Sequence, residues 1–63
     1  MPKTDVTVKL VGEDGNAFNV IGKVTRALRQ AGHGELAEQF KREATSGDYD
    51  NLLRTVMEYV EVE

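Results

Sequence analysis

The sequence predicts an α+β fold: one N-terminal β-strand, then three amphipathic helices, with a short C-terminal strand able to pair with the first. Three observations carry this. Residues 5–11 alternate apolar and polar with β-branched enrichment. Three apolar stripes at helical spacing follow, separated by glycine-containing connectors. The last residues, Val60-Glu61-Val62-Glu63, alternate again. The chain of 63 residues and 7.0 kDa is expected to form one small domain over residues 1–63. At this length roughly 60% of the unfolded surface is buried on folding, so the core is thin.

In the first strand, Val6, Val8 and Leu10 share one side, and Thr7 and Lys9 the other. Gly12-Glu13-Asp14-Gly15 supplies turn chemistry. Asn16 is a good N-cap for a helix whose apolar positions are Ala17, Val20, Ile21, Val24, Ala27, Leu28 and Ala31, with Phe18 at the edge of the stripe. Gly32 falls where a left-handed helix stop is expected.

After the connector His33-Gly34, Glu35 and Glu38 place negative charge in the first turn of a second helix with apolar Leu36, Ala37, Phe40 and Ala44. Gly47 is expected to end it in a left-handed conformation. Asp48 then caps a third helix carrying Tyr49, Leu52, Leu53, Val56, Met57 and Val60, with Tyr49 and Tyr59 at the edge of the core and their hydroxyls wet. Residues 59–63 fit either a continuing helix or a strand. The alternation favours a helix ending near Glu58 or Tyr59 and a terminal strand with Val60 and Val62 inward.

Composition narrows the function by exclusion. Hydrophobic residues are 40% of the chain, ordinary globular usage. Without cysteine there is no disulfide, no thiolate zinc site and no Cys nucleophile, and one His completes no metal site of the usual kind. No apolar run approaches the roughly 20 residues of a membrane span, and Met1-Pro2-Lys3-Thr4 does not start a signal peptide. A cytoplasmic protein is the expectation. The net charge of −3 argues against a general nucleic-acid or membrane-surface binder.

No motif in the chain carries chemistry. Gly12-Glu13-Asp14-Gly15-Asn16 lies between strand and helix as phosphate loops do, but it is neither a Walker loop nor a dinucleotide fingerprint, and its carboxylates repel phosphate. Helices flanking Ser46-Gly47 suggest a helix-turn-helix, yet the second bears Asp48, Asp50 and Glu58, the wrong sign for a groove lined with phosphate. Asp48 and Asp50 read as capping residues and His33 as a connector residue. No nucleophile–base pair stands out, so no enzyme, cofactor or metal is expected. The one cluster that points outward is Lys23, Arg26 and Arg29, within about a third of the first helix's circumference, a candidate site for an anion or an acidic partner. Its plain alternative is a solvated face balanced by glutamates of the second helix.

The stretches Gly15-Asn16-Ala17-Phe18, Ala27-Leu28-Arg29 with Ala31-Gly32, Glu43-Ala44-Thr45-Ser46-Gly47-Asp48-Tyr49-Asp50 with Leu52-Leu53, and the ending Met57-Glu58-Tyr59-Val60-Glu61-Val62-Glu63 resemble a family of short uncharacterised proteins of bacteria and their phages. The resemblance covers nearly all of the chain after Lys9, with a departure at His33-Gly34. It implies a stand-alone cytoplasmic accessory protein of phage or mobile-element origin and assigns no catalytic residue. Three functions follow in order of weight: a non-enzymatic protein-interaction module, an oligomeric binder of a small anionic ligand such as a nucleotide, and a nucleic-acid-associated regulator. A homodimer through the strand or the first helix is expected, because a lone strand leaves its edges unpaired.

Overall fold

A computed structural model describes residues 2–10 and 16–63. Its elements are β1 (Thr7–Val8), α1 (Ala17–Gln30), α2 (Gly34–Ala44), α3 (Tyr49–Tyr59) and β2 (Glu61–Val62). This is the α+β arrangement expected, including the closing strand. The turn expected at 12–15 and the end of the first strand at Val11 lie outside the described residues.

The two strands pair in parallel, with Thr7 opposite Glu61 and Val8 opposite Val62. Ladder contacts run past the short strands: the Glu61 amide donates to Val6 O at 2.8 Å, and the Glu63 amide to Val8 O at 2.9 Å. Upstream, the Lys3 amide donates to Glu58 O and both the amide and Oγ1 of Thr4 donate to Tyr59 O. The N-terminal segment is therefore stitched to the end of α3 as well as to β2. The tail is a strand because Val60 leaves the helix with extended backbone, φ −138° and ψ 164°.

Val8, Val20, Val24, Leu28, Ala37, Phe40, Ala44, Leu52, Val56, Tyr59 and Val60 form the core, so every element except β2 itself contributes. Phe40 and Tyr59 meet edge to face at its centre, ring centroids 5.5 Å apart, a favoured geometry for the ring quadrupoles. Tyr59 is thus fully buried rather than at the core edge, and its hydroxyl is not wet. Val60 is buried as expected, but Val62 remains 45% exposed, because the chain has passed beyond α3 and no helix covers that position. Met57 also departs from the expectation at 60% exposure. It stands 500° along the helix from Leu52, about 140° round from it at 100° per residue, and so leaves the buried stripe.

The helix ends show which caps act. Asn16 and Asp48 accept from the amides of Asn19 and Asn51 through their side chains. Gly32 has φ +86°, and the His33 amide reaches Leu28 O while the Gly32 amide reaches Arg29 O, the paired bonds of a Schellman stop. Gly47 does not repeat it. Among the described residues only Gly32 has positive φ. α2 is closed by side chains instead. Thr45 Oγ1 donates to Lys41 O, Ser46 Oγ donates to Glu43 O, and Asn51 Nδ2 of α3 also donates to Glu43 O. With the terminal carbonyls satisfied this way, the left-handed turn is unnecessary.

Candidate functional site

The outer face of α1 carries the three cations singled out by the sequence, and the fold separates their roles. Arg29 turns toward α2 and is bonded to the Glu38 carboxylate, which Lys41 also approaches at 4.0 Å. The Arg29 hydrogen bond, reinforced by the charge of Lys41, holds the Glu38 carboxyl below the usual carboxylate range. The balancing glutamate foreseen as the plain alternative is therefore real for Arg29. Lys23 borders one hollow beside β1 with Thr7, Lys9, Ala27 and Gln30, and another with Phe18, Gly22 and Arg26. Arg26 stands between them, exposed, and lines hollows on both sides of the helix.

The sequence reading missed what lies beside Arg26. Phe18 is 87% exposed, the most exposed large apolar side chain of the described residues. It sits two turns before Arg26, and one turn before it comes Gly22, where an added Cβ would meet nothing within 4 Å. Phe18, Ile21, Gly22, Thr25, Arg26, Arg29 and Lys41 together border a shallow hollow of about 420 Å³ toward α2. A second hollow of about 290 Å³ runs from Phe18 and Ile21 across to Tyr49 and Leu52 at the start of α3. Phe18 is thus an apolar knob between two open depressions with cations on one side. The signal was in the sequence as a bulky residue off the stripe, but edge placement alone did not show that no neighbour covers it.

Among the described residues there is no group of three His, Asp or Glu placed to hold a metal ion. No helix is long and apolar enough to cross a membrane among those residues. α3 exposes Asp50, Arg54 and Glu58, the mixed and mostly acidic face the sequence foretold. What the α1 face can do is bind: an apolar anchor to be buried, a glycine permitting close approach to the backbone, and a guanidinium free of the Glu38 pair to select charge. Comparison with protein-family models, with curated proteins and with solved structures finds no match for this chain.

Proposed function

We propose that this chain is a small, non-enzymatic protein-interaction module, a cytoplasmic accessory protein of phage or mobile-element type, that docks a partner protein on the outer face of α1. The observation that carries the reading is the exposure of Phe18. Burying an aromatic ring of that size in a partner is worth roughly 2–3 kcal/mol, enough to change an association constant by about a hundredfold. Aromatic and Arg residues are the commonest anchors of protein interfaces, and Phe18 and Arg26 lie on one helix face two turns apart. The flanking hollows are shallow and open, which suits a protein surface better than an enclosed small molecule.

The test is affinity capture from host lysate with the wild-type chain and Phe18→Ser in parallel, read by mass spectrometry. A protein retained by the wild type and lost with Phe18→Ser supports the reading. Equal retention on both baits removes α1 as the docking face.

A second reading, a binder of a small anion such as a nucleotide, is favoured by the convergence of Arg26, Arg29 and Lys41 on one hollow. It is the weaker one, since Glu38 already engages Arg29 and stands near Lys41. A nucleotide-dependent rise in melting temperature, lost with Arg26→Ala, would favour it.

A further inference from the structure

We propose that two copies of this chain join edge to edge through β1, antiparallel, with Thr7 opposite the partner's Thr7, so that the two small sheets become one sheet of four strands. The β1 edge adjoins the α1 face at the hollow where Thr7 and Lys9 meet Lys23 and Arg26, but it does not involve Phe18.

The direction of the backbone groups leaves one edge of β1 open for pairing. Val6 O and Val8 O accept from Glu61 and Glu63, and the Leu10 amide donates to Glu63 O. These bonds fix the inward side of the ladder. Successive peptide groups of a strand point to opposite sides, so the Asp5 carbonyl, both groups of Thr7 and both groups of Lys9 point away from β2. That outer row has the spacing of an antiparallel ladder centred on Thr7. Two bonds join the Thr7 pair, and each Lys9 amide donates to the carbonyl of the partner's Asp5.

The side chains select this register. The odd residues Asp5, Thr7 and Lys9 are all exposed, whereas Val6, Val8 and Leu10 turn toward the core. Centring on Thr7 sets Asp5 opposite the partner's Lys9 and Lys9 opposite the partner's Asp5, two cross-strand pairs of opposite charge. A lysine on an edge strand normally discourages pairing. Here the twofold axis supplies its counter-charge from the same sequence. The other edge of the sheet fails the same comparison. Centring on Val62 would set Glu61 opposite the partner's Glu63, with like charges facing each other twice. Charge thus chooses β1 over β2. The need is also physical, because a two-stranded sheet is marginal alone and a core this small gains from association. A twofold contact closes on itself and stops at the dimer.

Sedimentation equilibrium across a concentration series, with circular dichroism to check folding, tests the proposal. The wild type is expected to move from 7.0 kDa to twice that mass. Lys9→Asp, which opposes Asp to Asp, should weaken association at least tenfold, and adding Asp5→Lys in the same chain should restore it. Thr7→Pro removes an outward amide while leaving the bonds to β2 untouched, so it should give a folded monomer. Because the chain has no cysteine, Thr7→Cys reads the contact directly. Hydrogen-bonded antiparallel pairs hold their Cα atoms about 5.5 Å apart, within disulfide range, so mild oxidation should yield a covalent dimer that Lys9→Cys does not. A wild type that stays monomeric to high micromolar concentration overturns the proposal. So does a dimer that is indifferent to Thr7→Pro and to the charge exchange.

Discussion

Asn51, in the first turn of α3, reaches back to donate from Nδ2 to the carbonyl of Glu43 at the end of α2, 2.9 Å away. Its own amide is held at the same time by the Asp48 carboxylate at 2.9 Å. One residue therefore closes one helix and accepts the cap of the next. Asn51→Ala should cost about 1–2 kcal/mol, the usual range for losing a hydrogen bond at a half-buried helix end. Asn51→Asp should also be destabilising, because a carboxylate cannot donate to Glu43 O and lies near other acids. Chemical denaturation of the two variants beside the wild type checks both.

Two glycines should respond in opposite directions. Gly22 is in the middle of α1 and a Cβ there meets nothing within 4 Å. Gly22→Ala should raise stability by about 1 kcal/mol, the difference in helix propensity. At Gly47 an added Cβ would stand 3.0 Å from the Cβ of Asn51. That contact presses on the residue bridging α2 and α3, so Gly47→Ala should lower the melting midpoint although its φ is unexceptional. A gain at both positions would show that Asn51 yields without losing its bond.

The contrast between Gly32 and Gly47 shows what was legible in the sequence. Both follow an amphipathic stripe, and both were expected to be left-handed. Only Gly32 is, since Thr45, Ser46 and Asn51 satisfy the carbonyls at the other helix end, and a side chain eight residues downstream leaves no local signature. The stripes of α1 and α2 located Val20, Val24, Leu28, Ala37, Phe40 and Ala44 because period and burial coincide, but Ala31, placed on the first stripe, is exposed as the C-cap, and the buried Thr25 lies off it. The stripe of α3 was drawn too wide, and Met57 is outside it. Parallel pairing of the strands could have been argued from topology. Three helices that reverse at each short connector bring β2 back in the direction of β1. Of the site, the cations and a balancing glutamate on the second helix were legible, but which cation Glu38 would take was not, because that depends on how α1 and α2 face each other.

Thr25 Oγ1, buried and without a partner among the described residues, should be dispensable for stability. Removing an unpaired buried polar atom leaves nothing unsatisfied, so Thr25→Val should be neutral or stabilising by up to about 1 kcal/mol. Tyr59 carries a pH signature. Burial, with the Glu43 carboxylate nearby, raises its phenol above the ordinary value of 10.0. The folded state then holds the proton after the unfolded chain has released it. The stability from this group is full below about pH 10 and falls as pH rises from there through the folded value. Tyr59→Phe should remove that alkaline loss. Melting curves at neutral pH and at about pH 11 read it, and an unchanged alkaline loss would assign the effect to other groups.

Nucleic acid should bind weakly and without preference. Each phosphate contact contributes roughly −0.9 to the slope of log K against log salt, and proteins that bind duplex DNA usefully make about 6–10 such contacts. Around the outer face of α1 stand Lys23, Arg26 and, from α2, Lys41, with Arg29 held by Glu38 and Lys41 near the same carboxylate. Three cations give a slope near −3 at most, and the chain's net charge of −3 disfavours approach to a polyanion. The face of α3 after the Ser46-Gly47 turn presents Asp50 and Glu58, which repel the backbone a recognition helix must touch. Fluorescence anisotropy with a labelled duplex should therefore show no binding at physiological salt. Only a shallow salt dependence is expected at low ionic strength, reduced by about one in slope with Arg26→Ala. Tight binding with a slope of −6 or steeper would mean that the cations of two chains act together, as a dimer, on one duplex.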